Sequence, residues 1–463
     1  LQNGPQTSST FDQLTTTSYA VRVQAGGAGN AANVTIAGGE ITAVTGGGVY
    51  VSDGTVNLGV DDGTPAGPTV TTQGNNLHNG YRQDLSGTSG SNWNYRVSQN
   101  GGPAIEVAGG SLYVNGGSYS SAQGDGILVR NGSATITAGN FSGNDNYSAA
   151  GGGFVAGPGA SYAFKVLGGT ANVSGGRFAS EGNGAFVMDG SATITAGVFT
   201  GAGASGFSVW REAVVTFGTA GMDDDDLIVA AASTGIAVET NIPSGYNAAD
   251  VTIHGGTFSG GTYSNTEQSV YITGDGGGRN GIWYGTSWSK VTISGGQFIG
   301  DNSGFDYAGN AGAHVAGNVT ISGGTFTGEG TNEEDLNDWS NRYYKAAGLR
   351  FNTNQWASDG GVVVISGGTF KGVPHRSGSH YLYGAIGTND AGLGEDIQLL
   401  DIIEKGYDDT TRNVEYTSSN GTTGMWTSAR LQEWEDAAER EWLPSRDCPL
   451  RDTTAECTQV RVY

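Results

Sequence analysis

Apolar and polar residues alternate along this chain in an eight-residue phrase that returns over most of its length. The phrase reads Val291-Thr292-Ile293-Ser294-Gly295-Gly296-Gln297-Phe298. Close copies run from Val251 to Phe258 and from Val319 to Phe326, and looser copies begin at Ala134, Ala171, Ala192 and Val363. Alternation of apolar and polar residues is typical of a half-buried strand, and Gly-Gly suits a corner because glycine accepts positive φ. Each copy therefore predicts a strand, a glycine corner and the start of a second strand at the aromatic residue.

A further apolar run lies just upstream of the phrase and lengthens the repeating unit. Val107, Val129, Val166 and Val187 occupy equivalent positions, separated by 22, 37 and 21 residues. We infer a unit of about 21–22 residues, as expected for a solenoid of short strands. The longer step predicts that residues 143–162 form an inserted loop. Larger departures from the repeat fall at residues 65–95, 221–250, 302–312 and 328–346.

Three short strands per unit, glycine corners and inward Ile, Val and Phe columns predict an all-β fold, a parallel β-helix solenoid on the order of 60 Å long. A disordered glycine-rich linker and a β-sandwich are the alternatives. From about Val21 to Asp390 the repeats resemble the right-handed parallel β-helix proteins of the pectate-lyase-like superfamily, with its adhesin-like, glycine-rich members. The resemblance implies a right-handed solenoid and leaves the function open.

The repeat boundaries predict three regions. Residues 1–20 form an N-terminal arm or cap strand, residues 21–391 the β-helix with its loop insertions, and residues 392–463 a C-terminal cap. In the cap, Ser428 to Leu443 has helical spacing, with Leu431, Trp434, Ala438 and Trp442 on one face and Pro444 at its end. A membrane-surface helix is the alternative, but the acidic polar side of this helix has the wrong charge for anionic lipid. A strand-like segment at residues 459–463 completes the predicted cap.

Composition narrows the classes of partner. The chain has 83 glycines, only 21 lysines and arginines, and a formal net charge of −23. Phosphate binding needs clustered cations, so this balance argues against nucleic acid. No stretch of about 20 apolar residues is present, which predicts no transmembrane segment. The chain starts at Leu1 without an apolar leader, as a processed secreted protein does, although a recombinant fragment would look the same.

Covalent modification is the next expectation. The two cysteines, Cys448 and Cys457, are close in sequence and predict a disulfide that closes a small loop. Sequons for N-glycosylation occur at Asn33, Asn131, Asn140, Asn146, Asn172, Asn318 and Asn420. Together these features favour a secreted glycoprotein, at the cell surface or free outside the cell.

An enzyme active site finds little support in the residues. Resemblance to the pectin hydrolases would imply Asn-Thr-Asp, Asp-Asp, Gly-His-Gly and Arg-Ile-Lys motifs. Only Asp-Asp occurs, for example at Asp61-Asp62 and Asp408-Asp409, without its partner motifs. A lyase-like acidic calcium cluster facing an arginine or lysine is not evident either. The five histidines are scattered, and no catalytic residue is assigned. Carboxylates on neighbouring coils that would act as a glycosidase pair stay possible.

Three other features have both a specific and a plain interpretation. The run Asp223-Asp224-Asp225-Asp226 is a weak calcium candidate, the only cofactor considered, and more simply a solvated acidic loop. Five threonines are predicted to form an outward column: Thr135, Thr193, Thr252, Thr292 and Thr320. Such a column could order water at an ice surface, or the threonines are there simply because threonine favours strands. Loop aromatics such as Trp283 and Tyr284 suit sugar or protein contacts, or fold the insertions onto the rod.

The sequence thus predicts an extracellular structural or adhesive glycoprotein: a cell-surface, wall or filament subunit that self-associates or binds other extracellular proteins and glycans through its loops and ends. The alternative is a polysaccharide lyase or hydrolase, or a carbohydrate-binding module, on the same scaffold.

Overall fold

The structure is a computed structural model of the 463-residue chain. It describes residues 19–24, 32–44, 46–73, 81–84, 94–97, 102–144, 161–203, 205–222, 226–238, 249–261, 263–272, 280–284, 289–301, 303–307, 319–329, 347–351, 363–371, 375–377, 380–382, 386–388, 414–418, 423–426 and 457–462. Every regular secondary-structure element in these ranges is a β-strand, so the described part of the protein is all-β.

Sheet A contains one strand from each repeat, and each strand pairs in parallel with the equivalent strand of the next repeat. Its strands, in sheet order, are β1 (Tyr19–Val23), β4 (Gly47–Val51), β9 (Ile105–Val107), β11 (Ile127–Val129), β13 (Tyr162–Val166), β15 (Asn183–Met188), β17 (Ser205–Trp210), β20 (Thr234–Val238), β25 (Asn280–Tyr284), β28 (Ser303–Tyr307), β30 (Ala347–Phe351) and β34 (Ile386–Thr388).

Sheet B contains the repeat phrase itself. Its strands are β2 (Asn33–Ile36), β3 (Glu40–Ala43), β5 (Thr55–Leu58), β6 (Thr69–Thr72), β10 (Ser111–Ser121), β12 (Ser133–Gly143), β14 (Thr170–Ser180), β16 (Ser191–Gly201), β18 (Val214–Phe217), β19 (Leu227–Ala231), β21 (Asp250–Ile253), β22 (Thr257–Gly260), β26 (Lys290–Ile293), β27 (Gln297–Gly300), β29 (Val319–Gly328), β31 (Val363–Lys371), β35 (Val414–Ser418), β36 (Thr423–Trp426) and β37 (Cys457–Val462).

Three antiparallel hairpins complete the set. They are β7 (Tyr81–Asp84) with β8 (Asn94–Val97), β23 (Tyr263–Asn265) with β24 (Val270–Ile272), and β32 (His375–Ser377) with β33 (His380–Leu382). The first of these lies at the predicted departure of residues 65–95, whereas the other two lie outside the predicted departures. The predicted insertion at 143–162 falls largely on residues outside the described ranges.

The expected three short strands per unit are only partly correct. In β10, β12, β14, β16, β29 and β31 the glycine corner is absorbed into one long strand, with a register irregularity at the corner of β10, β14 and β29. Elsewhere the phrase divides into two strands. β16 and β29 each pair with two shorter strands, and six shorter strands connect them in two rows. Together these eight strands form a closed circuit of parallel pairing. The stacked parallel arrangement is compatible with a β-helix-like solenoid.

The predicted repeat length is confirmed by the register of sheet A. Val107 pairs with Val129, Val129 with Val166, and Val166 with Val187. All four side chains are fully buried and belong to one continuous core. The insertion between Val129 and Val166 therefore leaves the register of the sheet unchanged.

The core is built from columns of equivalent residues, and the clearest is a ladder of aromatic rings. Phe141, Phe178 and Phe199 stack with ring centroids 4.7 and 4.5 Å apart, and Phe258, Phe298 and Phe326 stack at 5.1 and 4.6 Å. Offset stacking at such distances adds to the hydrophobic gain from burial.

The ladder is interrupted once, and a neighbouring column fills the gap. Val229 pairs with Phe199 on one side and Phe258 on the other, so the ring is missing there. Phe217 stands in the adjacent column, where the preceding and following repeats have isoleucine, and its ring lies 5.4 Å from that of Phe258. The volume lost at one column is regained at the next, which keeps the interior close-packed.

Glycine is needed at both positions of the Gly-Gly pair, for two different physical reasons. A Cβ on Gly295 would lie 2.0 Å from the carbonyl oxygen of His254 in the preceding repeat. Gly296 has φ +97°, a conformation that L-residues with a side chain rarely adopt. The first glycine allows close stacking, and the second makes the bend.

The C-terminal region ends the parallel stack with an antiparallel strand. β37 pairs antiparallel with β31 and on its other side with β35, which in turn pairs with β36. The predicted C-terminal strand is thus confirmed, with bounds Cys457–Val462. The predicted helix Ser428–Leu443, Cys448, and the N-terminal residues 1–18 lie outside the described residues.

Candidate functional site

The outward side of sheet A bears an unusual column of side chains. Within each strand the flanking residues point into the core, as Ile105 and Val107 do, so the central residue points outward. The register aligns these central residues from repeat to repeat. From β4 to β17 they are Tyr50, Glu106, Leu128, Lys165, Phe186 and Ser208, and we call these six residues the outer A column.

Most of the outer A column is buried although it faces away from the core. Glu106 is 1 % exposed and Lys165 is 5 % exposed, and Phe186 and Ser208 are inaccessible. Charged groups are almost never buried unless they are paired, because desolvation is costly. The arrangement of their partners is therefore the central property of this face.

Two ion pairs cross β11, one on either side of Leu128. Arg130 Nε donates to Glu106 Oε1 at 2.8 Å, and the Tyr19 hydroxyl also contacts the Glu106 carboxylate. Lys165 Nζ lies 3.5 Å from Asp125 Oδ2. Each pair joins β11 to a neighbouring strand, to β9 in the first case and to β13 in the second.

Asp125 is held from two directions. The backbone N–H of Tyr162 donates to its Oδ1 at 2.8 Å, while Lys165 approaches its other oxygen. Burial raises the pKa of Asp125, and the charge of Lys165 opposes this shift without cancelling it. Lys165 Nζ also lies 5.4 Å from the centre of the Tyr162 ring, within the range of a cation–π contact.

An aromatic cluster continues the face beyond the ion pairs. The Tyr162 and Phe186 rings stack at 5.0 Å, and Phe186 meets Trp210 edge-on at 5.4 Å. Met188 completes this second apolar cluster, which is separate from the main core. Ser208 Oγ and Trp210 Nε1 are buried here without a hydrogen-bond partner. Unsatisfied buried donors are uncommon in folded proteins, and these two side chains stand two residues apart in β17, on the same side of the strand.

A third ion pair lies at the edge of the cluster. Arg211 donates through Nε to Asp189 Oδ1 at 2.9 Å and through a second nitrogen to the other carboxylate oxygen. Both residues have positive φ, 58° for Asp189 and 52° for Arg211. This conformation disfavours residues other than glycine, and the bidentate pair offsets part of the strain.

The outward side of sheet B is different, because its central column is exposed or half-exposed and uncharged. The predicted threonine column is confirmed for Thr193, Thr252, Thr292 and Thr320, which share one column in consecutive register with Thr216, a residue that was not predicted, between the first two. Asn172 stands between Thr135 and Thr193 in the same column. None of these side chains is buried.

Four of the seven sequon asparagines lie in the described part of the chain, and all four are exposed: Asn33, Asn131, Asn140 and Asn172. Asn146, Asn318 and Asn420 lie outside it. Glycosylation at each position stays a prediction.

Only some of the other predicted site residues lie in the described part of the chain. Asp226 is at the surface and accepts a hydrogen bond from Gln268 Nε2 at 3.2 Å, while Asp223, Asp224 and Asp225 lie outside the described residues. Among the described residues no group of three His, Cys, Asp or Glu side chains is placed to hold a metal ion. The predicted disulfide is untested, since Cys448 lies outside the described ranges. Trp283 and Tyr284, expected in a loop, belong to strand β25.

The residues of the outer A column were not predicted from the sequence. A signal was nevertheless present: Glu106 and Lys165 each stand between two core residues, in Ile-Glu-Val and Phe-Lys-Val. A charge at the centre of an apolar triplet indicates an outward strand position. What sequence spacing does not reveal is that this outward position is buried.

Comparison of the chain with protein-family models, with curated proteins and with solved structures gives no match. Within the described ranges, no helix has the length and apolar character needed to cross a membrane.

Proposed function

We propose that this chain is an extracellular structural or adhesive glycoprotein, a subunit of a cell surface, wall or filament, built as a right-handed parallel β-helix of the pectate-lyase-like kind. The observation that carries the proposal is the continuous register, from β2 to β31, of the sheet B columns that precede the glycine corner. Such a continuous column makes a long scaffold whose outward positions are free to vary.

The surface chemistry supports the same function. The exposed side of sheet B carries hydroxyl and amide groups, and the charge of −23 keeps neighbouring molecules apart unless a specific contact joins them. The two charged residues of the outer A column, Glu106 and Lys165, each form an ion pair with a residue that flanks β11, and a third ion pair, between Arg211 and Asp189, lies nearby. A paired, buried face fits a stabilising role better than a reactive cleft.

Imaging and sizing of the purified full chain test the proposal. Light scattering over a wide concentration range and negative-stain microscopy are expected to show rods that associate into larger assemblies or decorate extracellular material. Dispersed monomers at every concentration, with no binding to cell-wall preparations, would contradict it.

A second candidate is a polysaccharide-active enzyme or carbohydrate-binding module. It is favoured by one observation, the unsatisfied Ser208 Oγ and Trp210 Nε1 beside the Phe186 ring. Acidic and neutral polysaccharides should be screened for binding and cleavage, with and without calcium. Trp210→Phe, which removes the N–H and keeps an aromatic ring, is the matched variant; binding that survives this change unaltered would argue against a site at this position.

A further inference from the structure

We propose that Lys165 and Asp125 form an intramolecular amide cross-link between neighbouring repeats. Lys165 lies in β13, and Asp125 stands just before β11, the strand with which β13 pairs. The Lys165 Nζ to Asp125 Oδ2 distance is 3.5 Å, and their side chains are only 6 % and 9 % exposed. An amine and a carboxyl group are thus held together out of water by strand register. The inference does not rest on the structural role proposed above.

Burial prepares both groups for the reaction. Desolvation disfavours the charged form of each partner, so transfer of a proton from the ammonium to the carboxylate becomes less costly than in water. The fully buried Tyr162 side chain excludes water from the pair, while its ring face attracts the ammonium and opposes part of this proton transfer. The products of the transfer are a neutral amine and a neutral carboxylic acid at contact distance. Holding two reactants in this way replaces a bimolecular encounter by a reaction within one molecule.

The bond changes balance without any further reactant. Lys165 Nζ attacks Asp125 Cγ, and the N–C bond forms as the Cγ–Oδ2 bond breaks. Oδ2 leaves as water, with its own proton and one from the amine. The Tyr162 N–H, 2.8 Å from Oδ1, is placed to stabilise negative charge that develops on that oxygen during the attack.

Other ion pairs in the described part of the chain lack one of these conditions. Lys290 and Asp250 also pair in register, at 3.3 Å, but their side chains are 61 % and 42 % exposed, so water keeps both charged. The pairs of Arg130 and Arg211 involve guanidinium groups, which stay protonated and are poor nucleophiles. The Lys290–Asp250 pair therefore provides an exposed internal control with a similar distance between amine nitrogen and carboxylate oxygen.

Intact-mass measurement of the denatured full chain tests the cross-link. The protein is made in a host that adds no N-glycans, and it is expected to be lighter than its sequence by one water molecule, beyond the two hydrogens of any disulfide. Peptide mapping should then give a branched peptide that joins the Asp125 and Lys165 segments, with Lys290 in a linear peptide. Full sequence mass, with Lys165 recovered in a linear peptide from folded protein, would overturn the proposal.

The variant Lys165→Arg is the matched control. It keeps the positive charge beside Asp125 but cannot form the amide, so it is expected to have its full sequence mass. The same water loss in this variant would show that the reaction lies elsewhere and would also overturn the assignment. If Lys165→Arg does not fold, the wild-type mass and peptide map decide the question by themselves.

Discussion

The first glycine of the repeat phrase permits a sharp test of how closely the repeats stack. Gly295 and Gly38 occupy the same position in the phrase, since Val34-Thr35-Ile36-Ala37-Gly38-Gly39 is the copy in β2 and the turn after it. A Cβ on Gly295 would meet the His254 carbonyl oxygen at 2.0 Å, whereas a Cβ on Gly38 would have nothing within 4 Å. The difference arises because β2 pairs only with β5 among the described strands, so no earlier described repeat is stacked on Gly38.

Substitution of each glycine by alanine should therefore have opposite effects. Both changes reduce the freedom of the unfolded chain, which stabilises by about 0.4–1 kcal/mol where the native conformation allows alanine. In Gly295→Ala the backbone of one repeat must also move away from the next, and such overpacking costs about 1–3 kcal/mol or more. We expect Gly295→Ala to be less stable than wild type and Gly38→Ala to be equal or slightly more stable.

Denaturant unfolding of both variants measures the difference through the midpoint, provided the slope is unchanged. Hydrogen exchange adds a local measurement, because repeat proteins open by neighbouring units rather than all at once. Faster exchange in β26 and β27 of Gly295→Ala, with no change near β2 in Gly38→Ala, is the expected result. Equal behaviour of the two variants would refute close carbonyl stacking at the corner.

Three further predictions concern the core and the outer A column. Val229→Phe alone should destabilise the protein by about 1–3 kcal/mol through overpacking, and the double variant with Phe217→Ile should recover part of this loss. A double-mutant cycle should give a coupling energy of about 0.5–3 kcal/mol, and strictly additive effects would contradict the compensation. Burial raises the pKa of Tyr119, whose hydroxyl donates to the Gly116 carbonyl at 2.6 Å, so above pH 10 the folded state retains a proton that the unfolded state releases, and stability falls as pH rises. Tyr119→Phe should cost about 0.5–1.5 kcal/mol of stability at neutral pH, and above pH 10 its stability should fall less with pH than that of wild type. Unfolding experiments in which the variant loses as much stability at alkaline pH as wild type would count against this reasoning. Lys165→Arg, unable to close a segment of about 40 residues, should unfold with about 4 kcal/mol less stability than the cross-linked wild type, and equal unfolding midpoints would speak against the link.

Local pattern was enough to predict the strands and the inward columns. The equivalence of Val107, Val129, Val166 and Val187 follows from the spacing of apolar runs, and the register confirms it. The outward threonine column followed in the same way, because strand alternation fixes which side each residue faces. These features depend on neighbours in the sequence and on a constant repeat.

The features that could not be predicted depend on packing between different repeats. Phe217 compensates for Val229 across two columns, a relation that no single copy of the phrase contains. The partners Asp125 and Lys165 are separated by the whole insertion, so their contact follows from the register of β11 and β13 rather than from spacing. The long strands through the glycine corner were also missed, because a short phrase does not reveal whether its bend interrupts the backbone pairing.

The antiparallel strand β37 has a consequence for biosynthesis. Within the stack, each new parallel strand can cover the edge of the one before it after a few tens of residues have been made. β31 is different, because its partner β37 begins about 85 residues later in the chain. At translation rates of about 5–20 residues per second, the backbone edge of β31 that later pairs with β37 stays unpaired for roughly 4–17 s. During that interval strands of other chains can pair with the exposed edge of β31. Correct folding should therefore depend most on this last parallel strand of sheet B.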